Sequence, residues 1–524
     1  MTPARPLAGR QLLLVAALSF VWLAATAWAR PLMLPDEGRY AGVAWEMLRS
    51  GDWLTPTLNG LPYFHKPPLF YWITAASLSL FGLNESAARA APILGAWLGA
   101  FAMVLFTRRW WGDRAARLTL LALLAQPLFY VGGQFANLDM LVAGCITATI
   151  VLLADAALCI ERGRPHRLAL GSAFAMAAVG VLAKGLIGAV IPGLVIVAWL
   201  LILRRWRVLA AMLWWPGIVI FLLLAAPWFV AMQMRYPDFL DYFFVVQHFK
   251  RFAEGGFNNA QPFWFYPAVL LVFCLPWLPW LSRLFKRGHL SDPERGPIRL
   301  LMVVWVVMVV LFFSLPQSKL VGYILPAVPA LAALAADGFI SLGAPSRRAR
   351  RLWQVGAAGA ASVGIATVAG LSIHPLPSSR ELAATLLDQR GPQEPVVMLG
   401  NYYFDVPFYA RIRGPVRVVD EWSSAEVGKR DNWRKELADA GRFAPAQAAA
   451  ALIGPASLPA SLCLSQVSWV IGSSKDGARY PFLADARVAF DRRETTLWRV
   501  DRRLPAAASS LHCEGTPNDD SADK

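Results

Sequence analysis

The chain has 524 residues, 57% of them hydrophobic, and a formal net charge of +16. Its mean hydropathy of +0.46 excludes an ordinary soluble protein, because many apolar runs approach or exceed the roughly 20 residues that cross a bilayer. The basic residues do not form a nucleic-acid stripe. They fall in short clusters between apolar runs, such as Arg108-Arg109, Arg204-Arg205-Trp206-Arg207 and 347–351, as on the cytoplasmic side of polytopic membrane proteins.

At the N-terminus, Arg5 and Arg10 precede an apolar run from Gln11, and Ala27-Trp28-Ala29 resembles a cleavage site. The run is long for a signal core and adequate for a span, which favours an uncleaved first helix. Crossings are predicted near 11–29, 87–107, 116–133, 138–160, 168–183, 185–203, 208–231, 264–282, 299–314, 321–341 and 353–373. Lys184-Gly185 favours a hairpin over one long span across 168–203. The apolar stretch 69–83 is placed at the membrane interface, flanked by Tyr71-Trp72 and Asn84-Glu85. The fold class is thus a polytopic α-helical membrane protein of about 11–13 transmembrane helices. Twenty-two Trp and 29 Phe suit its interfacial belts.

A cytoplasmic N-terminus puts the loops 108–117, 161–167, 204–207, 283–299 and 346–352 inside, and each is rich in Arg or Lys. The opposite loops are 30–86, 132–138, 184, 232–263 and 315–320. The first of these is long enough to be functional, and its stretch 41–49 has an amphipathic pattern. After about 375 the pattern changes to short strands around 396–399, 416–419 and 469–471, with a helix near 381–389. The predicted domains are 1–375, transmembrane with the outer loop 30–86, and 376–505, a small α/β domain outside. The tail 506–524 reads as disordered. Of the five cysteines, Cys145, Cys159 and Cys274 lie in apolar segments, and only Cys463 and Cys513 could form an exported disulfide.

The polar islands collect on the outer side. Asp36-Glu37 follows the first span, and one carboxylate can face a substrate while the other braces the loop; a solvated helix cap is the alternative. His65-Lys66 precedes the rigid Pro67-Pro68, which suits an anionic group on Lys66, against a snorkelling lysine at the membrane edge. His248 and Arg251 share a helix face, and Arg251 can grip phosphate in two places. His65 and His248 together could hold zinc or another divalent ion. Asp139 and Lys184 are ionisable at membrane depth and so candidates for function; a helix cap for Asp139 and an interfacial anchor for Lys184 are the alternatives. Lys319 and Tyr323 flank a similar turn with the same alternative. Cations beside carboxylates suggest a polyprenyl phosphate leaving group and a nucleophile to be positioned.

Six segments in order, PDEGRYAGVAWEMLRSGDWLTP, LNGLPYFHKPPLFYW, NLDML, KGL, YFFVVQHFKRFAEGG and FFSLPQSKLVGYILP, resemble the GT-C class of membrane glycosyltransferases. The likeness covers about 10–375 and is to the branch of the bacterial lipid A aminoarabinose transferases and, more distantly, the protein O-mannosyltransferases. It implies an inner-membrane enzyme, active at the periplasmic face, that inverts configuration and uses an undecaprenyl-phosphate-linked sugar. The sugar implied is 4-amino-4-deoxy-L-arabinose and the acceptor lipid A. Transfer of another sugar to a protein or glycan is the alternative within the class, and a lipid-linked sugar transporter outside it. Carried over by position, Asp36 and Asp139 match the essential carboxylates. Lys66 and Arg251 match carrier-phosphate contacts, and His248 a metal-associated position. Glu37 joins the catalytic candidates, and Lys184, Lys319 and Tyr323 join the donor-phosphate candidates. The aminoarabinose transferases carry Glu before the Lys of the YF-x-KP motif, where this chain has His65.

Overall fold

The computed structural model describes residues 9–250, 259–429, 432–492, 494–504, 509–511 and 513, with 248–250 by backbone alone. It divides into two compact units. The first comprises Met1–Leu32, Gly51–Pro56 and Phe64–Leu376; the second comprises Met33–Ser50, Thr57–Tyr63 and Pro377–Lys524.

The first unit is a helical membrane body. Among the described residues, seven helices are long and apolar enough to cross a membrane: Ala90–Trp111, Leu138–Glu161, Arg167–Lys184, Trp215–Arg235, Gly296–Ser314, Val321–Ile340 and Arg347–Ile373. The pair Phe265–Phe273 and Leu275–Phe285, bent by 64°, makes an eighth if counted as one span. Shorter apolar helices are Gly9–Ala24, Leu69–Phe81 and Ile187–Ile202.

Leu138–Glu161 is the central helix, with 89% of its apolar window buried, against 22% for Arg347–Ile373. It packs without a layer of side chains between backbones. A Cβ added to Gly144 would lie 2.0 Å from the Gly95 carbonyl oxygen. Small residues permit this approach where lipid offers no hydrophobic drive to helix pairing. Fully buried Arg89 fixes the segment that follows the Gly9–Ala24 helix, donating to the carbonyls of Arg30 and Pro31, each at 3.0 Å.

The predicted hairpin at Lys184-Gly185 is present: Arg167–Lys184 ends there, and Gly185 turns the chain with φ +89. The crossing predicted over 116–133 is not one helix. Asp113–Leu124 and Pro127–Gly132 are separate, with Gln126 extended at ψ 118. Pro127 lacks the N–H to continue the ladder and pushes the preceding residue out of the helical region. Likewise Trp206–Met212 is detached from Trp215–Arg235, which opens on Trp215-Pro216.

The second unit is α/β. A hairpin of β1 (Thr57–Leu58) and β2 (Leu61–Pro62) turns on Asn59 and Gly60, with φ +54 and +75. The Asn-Gly pair favours the left-handed backbone that a two-residue hairpin needs. The main sheet contains β3 (Val396–Leu399), β4 (Arg417–Val419), β5 (Leu452–Ile453), β6 (Val467–Ser473), β7 (Arg487–Arg492) and β8 (Thr495–Asp501) in the order β5-β4-β3-β6-β8-β7. From β5 to β6 the strands are parallel; β8 and β7 close the edge antiparallel. The inner strand β3, VVML, reads as an unbroken apolar run because both faces are covered, and Val397, Val419, Val470 and Trp498 join one core cluster. Cys463 and Cys513 form a disulfide, whereas Cys145, Cys159 and Cys274 are free and buried in the helical unit.

Candidate functional site

Two polar clusters, one in each unit, hold five of the ten candidate residues. In the helical unit, the Leu138–Glu161 helix starts on Asn137, whose side-chain oxygen accepts the Asp139 N–H at 3.0 Å. Asn137 also donates its side-chain amide to Asp139 Oδ2 at 3.3 Å. Asp139 Oδ1 pairs with Lys184 Nζ, both side chains being largely buried. The pair joins a helix N-terminus bearing the anion to a helix C-terminus bearing the cation, which suits both dipoles. The Lys184 ammonium also lies 4.4 Å from the centre of the Tyr323 ring. Gly322 makes the approach possible, since a Cβ there would meet Asp139 Oδ2 at 2.5 Å. The structure thus brings Asp139, Lys184 and Tyr323 together as a compact ion pair capped by an aromatic ring.

Lys319 is placed differently. Its ammonium donates to the carbonyls of Gln261 at 2.8 Å and Pro316 at 2.6 Å, while its N–H donates to Asn259 at 3.0 Å. It ties the turn after Gly296–Ser314 to the 259–261 segment.

His65 is buried, and its Nε2 lies 2.9 Å from the Tyr242 hydroxyl, which also accepts from Gln247 Nε2 at 2.9 Å. Tyr242 was not singled out from the sequence, although it lies in the quoted YFFVVQHFK segment. Lys66 follows His65 and is partly buried. The His248 side chain and all of Arg251 lie outside the described residues. Among the described residues, no three His, Cys, Asp or Glu side chains converge to hold a metal ion. Of the tentative metal pair, His65 has its Nε2 engaged by Tyr242, and the His248 side chain is not among the described residues.

The second unit carries Asp36 and Glu37 in the first turn of the Asp36–Ser50 helix. They are divided in role. Glu37 is fully buried and accepts the Met33 N–H at 3.0 Å, closing its own helix start. Asp36, with its side chain 38% exposed, pairs with Arg39 one turn on. The Arg39 guanidinium is also bound by Glu436 and lies over the rings of Tyr40 and Phe404 at 5.2 and 5.6 Å. Burial penalises that charge, but Glu436, with Tyr63, Tyr40 and Asp36, outweighs it and raises the Arg39 pKa above its ordinary value. The Tyr63 hydroxyl donates to Glu436 at 3.4 Å.

The scaffold beneath is equally polar. Buried Glu46 accepts from Thr57 Oγ1 at 2.8 Å and from the N–H groups of Asn59 and Gly60 at 2.7 and 2.9 Å, gripping the hairpin turn. Asn59 exchanges two hydrogen bonds with the Val416 backbone, at 2.8 and 2.9 Å. Arg39, Glu46 and Glu436 were not singled out from the sequence. Arg39 lay inside the DEGRY segment, but nothing local marked its partner.

A family described as dolichyl-phosphate-mannose-protein mannosyltransferase matches residues 65–230. An undecaprenyl phosphate-alpha-4-amino-4-deoxy-L-arabinose arabinosyl transferase of Aeromonas salmonicida is 36% identical over 318 residues, 60% of this chain and 57% of that protein. The enzyme of the same name from Erwinia tasmaniensis is 34% identical over 369 residues, 68% of this chain and 66% of that protein. The chain therefore spans less than two thirds of the length of the curated relatives it matches. Among solved structures, ArnT from Cupriavidus metallidurans bound to undecaprenyl phosphate superposes with a TM-score of 0.78 at 25% identity, over 94% of this chain and 98% of that one. Its apo form gives 0.76, over 97% and 99%. In sequence and in fold the chain is thus similar to the GT-C class membrane glycosyltransferases, the superfamily that includes the aminoarabinose transferases and the protein O-mannosyltransferases.

Proposed function

We propose that the chain transfers a sugar, 4-amino-4-deoxy-L-arabinose, from an undecaprenyl-phosphate donor to lipid A, with inversion. The observation that carries this reading is the fold likeness over 94% of the chain to a protein captured with undecaprenyl phosphate. The names of the relatives support the sugar.

The chemistry needs an oriented nucleophile and a stabilised leaving group. Asp36 is the half-exposed member of its carboxylate pair and is held by a buried arginine, which suits it to orient the acceptor. A lipid A phosphate acceptor is already anionic, so orientation matters more than deprotonation. Lys66 and Arg251 stabilise the undecaprenyl phosphate that leaves. Asp139 holds Lys184 against Tyr323, and that cation serves the same developing charge.

The protein lies in the bacterial inner membrane, with its N-terminus in the cytoplasm and the second unit in the periplasm. The Cys463–Cys513 bridge supports that side, because disulfides persist in oxidising compartments. A second reading, transfer of another polyprenyl-linked sugar to a protein, is favoured by the mannosyltransferase description over 65–230 and by His65 in place of the usual Glu.

Mass spectrometry of lipid A from cells with and without the chain tests the proposal. Aminoarabinose on lipid A is expected only with the chain present and to vanish with Asp36→Asn. Lipid A unchanged by the chain would refute both sugar and acceptor.

A further inference from the structure

The helical unit carries a charged cavity at the start of the Gly296–Ser314 helix. That helix runs 19 residues, about 28 Å at 1.5 Å per residue, and Tyr323 of the Asp139 cluster follows its other end. Asp337 anchors the near end. It is fully buried and accepts from Arg299 Nε at 2.6 Å, Arg299 Nη2 at 3.2 Å and Arg295 Nη1 at 3.0 Å. Arg299 also donates to the His289 carbonyl at 2.7 Å. These bonds pin the 283–295 loop onto the Val328–Ile340 helix and leave beside it a cavity of about 520 Å³.

The cavity lining is unbalanced. Arg283, Lys286, Arg287, Arg295 and Arg299 face it with one lining carboxylate, Asp292. Asp337 uses Arg295 and Arg299, and Asp292 is occupied by the N–H groups of Glu294 and Arg295 at 2.9 and 2.8 Å. Among the described residues the Arg283 Nε donates to the Ser341 hydroxyl, at 3.4 Å, and Arg283 makes no ion pair. Exposed Lys286 and Arg287 make no ion pair among the described residues. A second feature lies on the same loop: Phe285 is 90% exposed, and Leu290 is 40% exposed. Exposed apolar side chains interleaved with unpaired cations at the end of a span suit the depth of lipid headgroups, where basic pockets between helices take anionic head groups.

We infer that this cavity is a binding site for a phosphate group, that of an anionic phospholipid headgroup, at the opposite end of the helical unit from the Asp139–Lys184 pair. The phosphate is held by Lys286, Arg287 and Arg283, while Phe285 enters the acyl region. Asp337 keeps the two inner arginines in place and limits the net charge that must be neutralised.

The full chain in neutral detergent is titrated with phosphatidylglycerol or phosphatidylcholine and followed by native mass spectrometry and melting temperature. Phosphatidylglycerol is expected to be retained and to raise the melting temperature, and phosphatidylcholine is not. The Lys286→Gln/Arg287→Gln variant should melt as the parent does without lipid, since both side chains are exposed. It should bind phosphatidylglycerol roughly 30-fold more weakly, at about 1 kcal/mol per surface cation. Millimolar inorganic phosphate distinguishes the source: failure to compete supports the lipid headgroup, and full competition overturns it in favour of free phosphate. Equal retention of the two lipids by the parent, or undiminished phosphatidylglycerol binding by the variant, overturns the site.

Discussion

Asp405→Asn should stabilise the second unit at neutral pH and remove a pH dependence that the parent shows. Asp405 is fully buried, its Oδ2 accepts from Ser378 Oγ at 2.9 Å and from the Ser379 N–H at 2.7 Å, and its Oδ1 has no hydrogen-bond partner among the described residues. Burial pushes the carboxyl up from 3.8 to about 6, against the lowering effect of those two serines. The folded chain therefore holds a proton that the unfolded chain has released. The stabilising contribution is complete below about pH 4 and is lost as pH rises through about 6. The difference corresponds to about 3 kcal/mol at 1.36 kcal/mol per unit. Asparagine reproduces the neutral acid at every pH, so the variant should gain that amount at pH 8 and nothing at pH 4. The readout is hydrogen exchange of peptides covering 36–50 and 396–410, corrected for intrinsic rates. The Gly38 backbone packs directly on this residue: a Cβ there would lie 2.9 Å from Asp405 Cβ. Protection that differs equally at all pH values, or greater protection of the parent at pH 8, would refute the argument.

Glu436→Gln leaves Arg39 with a weaker partner and Asp36 less firmly held; turnover should fall roughly 10-fold with donor KM unchanged, measured by transfer from a synthetic donor. A drop in affinity alone would instead mean that Glu436 acts on donor binding. Asp139→Asn or Lys184→Met alone should lower stability by about 3–5 kcal/mol, because each strands a buried charge or its partner. The double variant should cost less than the two singles added, and additive losses in thermal unfolding would show that the pair is not coupled. Cys463→Ser opens a closure of sequence separation 50. It should cost roughly 4 kcal/mol on the chain-entropy account, seen as faster proteolysis of the second unit, with parent and variant alike once reductant is added.

Much of this architecture is legible in the residues because membrane burial writes itself in long runs. The central helix, the hairpin at Lys184 and the switch to short β-branched strands after 375 all follow from local pattern. The break before Pro127 was also written locally and was overridden by the apolar run around it. Asp139, Lys184 and Tyr323 stood out singly as polar groups at helix ends, and only the fold shows that they meet.

The division of the first loop between two units is another matter. It rests on Asn59 with Val416, 357 residues apart, and on Arg39 with Glu436, 397 apart. No motif or periodicity reports contacts at such separations. Burial does carry a constraint that a motif does not. A guanidinium with 13% of its side chain exposed is poorly compensated by one neighbouring aspartate that is itself 38% exposed. Once Arg39 is known to be buried, a second carboxylate is required, and the C-terminal residues supply it. The segment bearing Asp36 is therefore braced by a residue that no reading of the DEGRY motif could have located, and exchanging the C-terminal domain should disturb Asp36 before it disturbs any helix of the membrane body.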